Sequence, residues 1–445
     1  MLKIKNIIFA FLICCSLSLN ASVVVNVNKG VMKPITLALS FKDFSTGVSN
    51  KFSEIIKKNL EGTFLFRSIP SQAFMQNLSG VNDEPKFALW RMINANYLVS
   101  AELRMQNGRL YIDCVLYDVL SEMKAGKFSA NGNPSDWKKM AHLISNNIYE
   151  RITGEVGYFD TKILYVIPKK SAKGEKSYQI AMMDQDGDNH RTLTNVNGIT
   201  LTPRFSPNGN EFSFFSYKER RVNGRLVPIS GSIYRYDLRT KKQEILANLN
   251  GMTYAPRYSP DGNFLIFSLS HRGSSSIYTL ELRTRQLRRL TRGPFIDTSP
   301  SYSPDGRQIV FNSDRGGSQQ LYVMDSDGSN IRRLSFQQGR YATPVWSPRG
   351  DWIAFTKFGN GGFYIGVIRP DGSGERMLAS GYLVESPTWS PNGRIILYSN
   401  QNKIKEGKKT KIREKIYSVD ITGYNNHELL TPSEAIDPEW GSSGR

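Results

Sequence analysis

The second half of the chain repeats a pattern of apolar, strand-forming runs separated by polar turns. The best-defined turn reads Pro-x-aromatic-Ser-Pro-x-Gly. In it, Ser suits the first position of a type I turn, Pro fixes φ at the second, and Gly tolerates the last. Five Ser-Pro-x-Gly copies begin at Ser206, Ser259, Ser303, Ser347 and Ser390. Their period of about 44 residues indicates a repeat architecture.

Each repeat predicts four antiparallel strands. A β-rich run follows the Ser-Pro turn, as at residues 309–311, and a polar loop leads to a second run, as at 320–324. A second turn, at 327–330 in this unit, precedes a short last strand. Four strands per unit are typical of a β-propeller blade.

The two ends of the repeat region complement each other. Residues 163–194 supply only the second, third and fourth strands of a blade, and residues 435–440 carry the missing inner-strand pattern. We therefore expect the C-terminal strand to complete the first blade and to close a ring of six. Insertions at 218–230 and 402–415 are predicted to be loops. The second is rich in Lys and Arg, which suits either anion binding or a solvated insertion.

The first half lacks the repeat and predicts a small domain of helices and strands. The predicted elements are a strand at 35–41, a helix at 47–60, hairpin strands at 97–105 and 109–120, and a helix that Ser135 caps and that runs to about Thr153. Asn107-Gly108 is a strong signal for the hairpin turn. The predicted fold is a small N-terminal α/β domain followed by a C-terminal six-bladed β-propeller.

The N-terminus predicts export. Lys3 and Lys5 precede an apolar run at residues 7–19 and small residues near Ala21, as in a secretory signal peptide. The run is shorter than the roughly 20 residues that span a bilayer, so we expect no membrane span. The predicted segments are a signal peptide at 1–21, a flexible arm at 22–34, the α/β domain at 35–156 and the propeller at 157–445.

Charge narrows the classes of possible partner, and cysteine content excludes a class of covalent cross-link. The formal net charge of +19 suits nucleic acid, an anionic envelope surface or an acidic partner, and export makes nucleic acid an improbable one. Removal of the signal peptide leaves Cys114 as the single cysteine, so no intrachain disulfide is expected. Cys114 is predicted to be a small buried hydrophobic residue.

Signal peptide, α/β domain, the join Gly157-Tyr158-Phe159-Asp160-Thr161-Lys162-Ile163 and six blades together resemble the TolB family over essentially the whole mature chain. This is the periplasmic family of the Tol-Pal system of Gram-negative bacteria. The resemblance implies a non-catalytic, monomeric adaptor without cofactor or metal. It would bind the lipoprotein Pal at one mouth of the propeller channel and TolA through the N-terminal arm, and so support outer-membrane integrity and cell division.

The loops that lead into the inner strands converge at one mouth of the channel, and the resemblance implies Pal contacts there. The candidate Pal-binding residues are Met252, Ala255, Thr298, Arg340, Tyr341 and Glu385. The candidate TolA-binding residues of the arm are Val23, Val24, Val25 and Val27. These valines either add as an edge strand to a partner sheet or pair with the domain's own sheet. Family arms commonly carry acidic residues where this chain has Asn26, Asn28 and Lys29.

The sequence offers little support for the classes of enzyme that contain a β-propeller. The Gly-x-Ser-x-Gly motif of propeller peptidases is absent. Lyases with this blade motif bind metal through channel histidines, whereas His190 and His427 fall on predicted outer strands, His271 in a loop and His142 on a helix. Asp184-x-Asp186-x-Asp188 lacks the Gly and Glu of an EF-hand and predicts a turn. No catalytic or metal residue is predicted. The alternative is a propeller that binds glycans or acts as a polysaccharide lyase.

Overall fold

The computed structural model describes residues 33–441, apart from residues 45, 171–175, 195–198, 223–224, 250, 272, 360 and 408. The predicted signal peptide and the arm valines Val23, Val24, Val25 and Val27 therefore lie outside the described residues. Among the helices within them, none is both long and apolar enough to cross a membrane.

The N-terminal α/β domain is a five-stranded sheet with two long helices on one face. Its elements are β1 (Ile35–Phe44), α1 (Ser49–Gly62), β2 (Phe66–Ile69), α2 (Phe87–Met92), β3 (Tyr97–Gln106), β4 (Arg109–Asp118), β5 (Met123–Gly132) and α3 (Trp137–Thr153). The strand order is β2-β1-β3-β4-β5, with β1 parallel to both of its neighbours. Phe52 and Ile56 of α1 and Ile144 and Ile148 of α3 are fully buried in the core that this packing creates.

Three details of this domain differ from the sequence predictions. The first helix begins at Ser49 rather than residue 47. Ser135 does not cap α3: it lies in a 3-10 turn in which its amide and hydroxyl both donate to Asn133 Oδ1, at 3.1 and 3.0 Å. Asn133 thus takes the capping role predicted for Ser135. The short elements β2 and α2 and the strand β5 were not predicted, because their sequences lack a clear period.

The C-terminal region is a ring of six four-stranded blades, as predicted. Blade 1 contains β6 (Lys162–Lys170), β7 (Lys176–Asp184) and β8 (Arg191–Thr192), and blade 2 contains β9 (Ile199–Phe205), β10 (Glu211–Val222), β11 (Arg225–Asp237) and β12 (Gln243–Leu249). Blade 3 contains β13 (Met252–Tyr258), β14 (Phe264–His271), β15 (Ser274–Glu281) and β16 (Leu287–Arg289), and blade 4 contains β17 (Thr298–Tyr302), β18 (Gln308–Ser313), β19 (Gln320–Asp325) and β20 (Arg332–Arg333). Blade 5 contains β21 (Arg340–Trp346), β22 (Ile353–Gly359), β23 (Gly362–Ile368) and β24 (Arg376–Gly381), and blade 6 contains β25 (Leu383–Trp389), β26 (Ile395–Glu406), β27 (Lys409–Asp420) and β28 (His427–Glu428).

The last strand, β29 (Ile436–Trp440), is the inner strand of blade 1. It pairs antiparallel with β6, Ile436 opposite Val166 and Trp440 opposite Ile163. The Trp440 indole N–H donates to Thr161 Oγ1 at 2.8 Å, and its ring meets that of Tyr158 edge to face at 5.5 Å. The two ends of the propeller are therefore joined within one sheet and by one buried aromatic anchor.

Every inner strand carries a bulge at the residue before its repeated proline. These residues have φ between 46° and 55° and are Thr202, Ala255, Ser299, Thr343, Ser386 and Asp437. The strand register shifts at each of these sites. Left-handed backbone is uncommon for such residues, and its six-fold recurrence indicates that the blade packing imposes it.

The two predicted loop insertions are strands instead. Residues 218–222 and 225–230 continue the ladder of β10 and β11 as far as the pair Val222 and Arg225. Residues 402–406 and 409–415 likewise continue β26 and β27 as far as the pair Glu406 and Lys409. In the second of these segments Ile404, Thr410 and Ile412 alternate with charged residues, which suits a two-stranded ribbon but is obscured in the sequence by the high density of charge.

Candidate functional site

The six inner strands run in one direction and so define two different mouths of the channel. The upper mouth lies where these strands begin, at Ile199, Met252, Thr298, Arg340, Leu383 and Ile436. The turn mouth lies where they end, at the Ser-Pro-x-Gly turns. Each connection from the outer strand of one blade to the inner strand of the next arrives at the upper mouth.

Three of the predicted Pal-binding residues lie at the rim of the upper mouth. Met252 and Arg340 are the first residues of their inner strands and are exposed, and Thr298 is half-buried. The Thr298 hydroxyl donates to Asn312 Oδ1 at 3.1 Å, which fixes its rotamer. These residues are held by regular strands, so their positions relative to one another are set by the blade geometry.

Tyr341, another of the predicted Pal-binding residues, lies inside blade 5. Its side chain is fully buried, and its hydroxyl donates to the Glu375 carboxylate, 2.8 and 2.9 Å from the two oxygens. Lys357 Nζ lies 2.7 Å from Glu375 and 4.8 Å from the centre of the Tyr341 ring. Burial, with the negative charge of Glu375, raises the pKa of Tyr341. Tyr341 is thus held inside the blade by Glu375 and Lys357, and its side chain is not accessible in this structure.

The two other predicted residues lie deeper than expected. Ala255 is the bulge residue of β13 and is almost fully buried. Glu385 is a strand residue of β25, half-buried, not a loop residue. Burial raises the pKa of Glu385, and the carboxylates of Asp437 and Glu414 raise it further. A partner would reach these two positions only by entering the mouth.

Sequence reasoning predicted Met252 but missed four other exposed apolar side chains on the connections that lead to the inner strands. Six connections lead from an outer strand to the next inner strand. Apart from the connection that contains residues 195–198, each contains or ends in one such apolar side chain. They are Met252, Ile296, Phe336, Tyr382 and Leu430, whose exposed fractions are 39%, 40%, 72%, 50% and 77%. One large apolar residue in an otherwise polar connection is the signal that could have identified them.

One of these connections is held by a buried ion pair. Arg315 Nη2 donates to both oxygens of the buried Asp297 carboxylate, at 3.0 and 2.9 Å. The Arg315 guanidinium also lies over the rings of Phe295, Phe311 and Tyr322, at 5.3, 5.3 and 5.2 Å. Asp297 separates Ile296 from Thr298, so the pair fixes two residues of the upper mouth in place.

The channel itself contains two buried arginines and two carboxylates. Arg204 Nη2 lies 3.1 Å from Asp437, and Arg204 Nε and Arg257 Nη1 lie 3.6 and 3.5 Å from Glu439. Burial, together with the nearby positive charge of Arg204, lowers the pKa of Arg257 to about 10. Burial opposes the charge of Arg204, but Asp437 and Glu439 produce a net rise in its pKa. Two cations and two anions neutralise one another, so the channel wall offers no net charge here.

The cavities lie at the turn mouth. One, of about 380 Å³, is lined by the ends of the inner strands and the Ser-Pro turns. A second, of about 660 Å³, lies between those turns and residues 154–157, which link the two domains. Asn392 donates to the Val156 carbonyl at 3.0 Å, and Arg349 lies 3.3 Å from Glu155. The linker thus covers part of the turn mouth and leaves the upper mouth on the other side of the ring.

Two family models match the chain in the order of its two domains. The model of the TolB amino-terminal domain matches residues 23–125, and that of the TolB beta propeller domain matches residues 149–443. The chain belongs to the TolB family.

Curated TolB relatives match nearly the whole chain. The Tol-Pal system protein TolB of Rickettsia canadensis (strain McKiel) is 46% identical over 450 residues, which cover 98% of this chain and 99% of the relative. That of Rickettsia prowazekii (strain Madrid E) is 46% identical over 453 residues, with the same coverage. The crystal structure of TolB from Acinetobacter baumannii superposes with a TM-score of 0.80 at 25% identity, covering 92% of this chain and 97% of that one. The chain is thus a component of the Tol-Pal system.

The histidines of this TolB chain lie apart from one another. His142 lies on α3, His427 in β28 and His190 just before β8, whereas His271 ends strand β14 rather than lying in a loop. Between residues 33 and 441, and outside the gaps given above, no group of three or more His, Cys, Asp or Glu side chains is arranged to hold a metal. The turn with Asp186 contacts the α/β domain instead, with Lys138 Nζ 2.9 Å from its carboxylate.

Proposed function

We propose that this chain is a non-enzymatic periplasmic adaptor that binds Pal at the upper mouth of its propeller and TolA through its N-terminal arm. In this role it supports outer-membrane integrity and cell division. The observation that carries the Pal assignment is the recurrence of exposed apolar side chains on the connections into the inner strands.

The composition of this surface favours a protein partner. Protein interfaces combine an apolar centre, in which aromatic residues, Met and Arg are enriched, with a polar rim. The upper mouth has exposed Met252, Ile296 and Leu430 together with the polar residues Thr298 and Arg340. The connection to β17 is fixed by the Asp297–Arg315 pair, so less conformational entropy is lost when a partner binds.

The same residues weigh against the glycan alternative. Sugar rings stack on accessible aromatic faces, but three of the five exposed apolar side chains at the upper mouth are Met, Ile and Leu. The two aromatic rings are already covered on one side, because Arg333 lies over Phe336 at 5.1 Å and Lys403 over Tyr382 at 4.1 Å. Neither feature suits a glycan platform.

Calorimetric titration of residues 22–445 with the soluble domain of Pal from the same organism tests the assignment. Wild type is expected to bind one Pal. Thr298→Arg places a bulky charge on the rim and is expected to weaken binding at least tenfold, about 1.4 kcal/mol. Thr240→Arg makes the same change on an exposed turn of blade 2, away from this mouth, and is the matched control.

Phe336→Ser is the second variant, because so exposed a residue contributes little to folding. It is expected to weaken Pal binding while its unfolding temperature stays at the wild-type value. No detectable binding by folded wild type would reject the Pal assignment.

The arm is tested separately: deletion of residues 22–32 is expected to abolish TolA binding and to leave Pal binding intact. Loss of both would contradict this division of roles.

A further inference from the structure

Two β-ribbons rise beside the upper mouth. The inner strand β25 pairs with β26 only as far as Gln401, but β26 continues to Glu406. In the same way β9 pairs with β10 only as far as Tyr217, and β10 continues to Val222. At about 3.3 Å per strand residue, each ribbon extends roughly 16 Å beyond the start of its inner strand. We call residues 402–406 with 409–413 ribbon 6, and residues 218–222 with 225–230 ribbon 2.

The opposite side of the mouth has no such extension. In blade 3, β13 pairs as far as Ser270 and β14 ends at His271. In blade 4 the pairing reaches Asn312 and β18 ends at Ser313. Blade 5 follows the same pattern, with pairing to Phe358 and an end at Gly359. Ribbons 6 and 2 stand on either side of blade 1, so three consecutive blades form a raised wall along one half of the upper mouth.

This wall is strongly basic. Ribbon 6 carries Lys403, Lys405, Lys409, Lys411 and Arg413 against the single acid Glu406. Ribbon 2 carries Lys218, Arg220, Arg221 and Arg225 against Glu219. Between them, β6 of blade 1 ends in Lys169 and Lys170, and β7 begins with Lys176. In ribbon 6 each basic residue is paired across the strands with an uncharged residue or with Glu406, so the register brings no two of its cations directly opposite each other.

Four basic side chains of ribbon 6 are accessible to solvent. Lys403, Lys405, Lys411 and Arg413 are all exposed. Lys403 lies over the ring of Tyr382, one of the exposed apolar residues of the upper mouth. The basic wall is therefore continuous with the apolar surface, and a body seated on the mouth would lie beside ribbon 6 rather than only beneath its tip.

We propose that the partner bound at the upper mouth presents an acidic flank to blades 6, 1 and 2, and that the basic wall steers and orients this partner. The inference rests on the proposed function and extends it to the chemistry of the partner. A planar anionic membrane would reach only the tips of the ribbons. The charges of the ribbons are instead distributed over roughly 16 Å of height. This height is about two Debye lengths at physiological salt, so a partner beside the ribbons would lie near more of these charges than a membrane at their tips.

Association kinetics provide the test. Stopped-flow mixing of the mature chain with the soluble domain of Pal is measured between 0.05 and 0.3 M salt. Steering charges act mainly on the association rate, and the expected loss for Lys405→Glu/Lys411→Glu is about tenfold at low salt. The loss is expected to shrink as salt increases, with little change in the dissociation rate. Arg283→Glu/Arg307→Glu, on exposed turns at the other mouth, changes the net charge equally and is the control.

Each alternative outcome is distinct. Equal slowing by the ribbon variant and the control would mean that only total charge matters, and an unchanged rate in the ribbon variant would mean that the wall does not face the partner. Either result overturns the inference. The proposed function still stands in both cases if the wild-type protein binds Pal. A third result is that wild type binds phosphatidylglycerol vesicles, the ribbon variant does not, and both bind Pal at the same rate. This result would overturn the inference and indicate that the wall binds a membrane rather than an acidic protein. Absence of Pal binding by wild type would reject both proposals.

Discussion

The Asp297–Arg315 pair offers the sharpest test of how the upper mouth is built. Asp297→Asn preserves the shape of the side chain and removes its charge, which leaves the Arg315 guanidinium uncompensated among three aromatic rings. Removing one partner of a buried pair costs roughly 3–5 kcal/mol. Arg315 is slightly exposed, so solvent screens part of this penalty, and we expect a loss of about 2–3 kcal/mol in the free energy of unfolding.

A double-mutant cycle separates the pair from its surroundings. Arg315→Met leaves the buried Asp297 carboxylate without its cation, and the loss is expected to be at least as large as for Asp297→Asn. Asp297→Leu is the other single variant of the cycle. Combined with Arg315→Met it replaces both charges by apolar groups, and this double variant is expected to recover most of the stability. The measurement is urea unfolding of each variant, with the coupling energy taken from the cycle.

Pal affinity is expected to respond to these variants differently from stability. The double replacement is expected to recover stability but not full Pal affinity, because the two bonds that fix Asp297 between Ile296 and Thr298 are gone. A loss below about 0.5 kcal/mol for Asp297→Asn, with no coupling in the cycle, would refute the structural role of the pair. Wild-type Pal affinity in the double variant would refute the link between the pair and the mouth.

Two further predictions concern ring closure and the domain interface. Trp440→Ala is expected to destabilise the propeller by about 3–5 kcal/mol and Trp440→Phe by about 1 kcal/mol, the hydrogen bond to Thr161 alone; equal losses in urea unfolding would contradict the packing role. Burial lowers the pKa of His142, which Asp186 only partly opposes, so the unfolded chain takes up this proton first as pH falls. Stability is therefore expected to decline below about pH 6.5, and less steeply in His142→Gln. Parallel pH profiles of the two proteins would show that His142 is not the group responsible.

The sequence predicted the repeat because each blade repeats its turn chemistry. Ser303-Pro304-Asp305-Gly306 folds locally: the Ser303 amide donates to the Gln308 carbonyl at 2.8 Å, and the Gly306 amide donates to the Ser303 carbonyl at 2.9 Å. Such contacts lie within a few residues and are visible in a pattern. The ribbons were mistaken for loops because their lysines and arginines resemble a solvated insertion, whereas cross-strand pairing such as that of Ile404 with Lys411 determines their conformation.

The candidate site was harder to predict, because burial depends on contacts between distant segments. Tyr341 and Arg340 are adjacent in sequence, yet Tyr341 is buried against Glu375, a residue of the following outer strand region, and Arg340 is exposed. Likewise the buried Asp297 is paired with Arg315, which reaches it from the turn between β18 and β19. Position near the start of an inner strand therefore identified the mouth but not which side chains form its surface.

The charge distribution explains why the two mouths should differ in what they bind. Arg204 and Arg257 are neutralised within the channel by Asp437 and Glu439, so the excess positive charge of the chain must act elsewhere. Ribbons 6 and 2 carry much of it on one side of the upper mouth, whereas the turn mouth is partly covered by the interdomain linker. If the proposed steering holds, a partner attracted by long-range charge is brought to the exposed apolar side chains beside ribbon 6. Salt should then slow its arrival more than it hastens its departure.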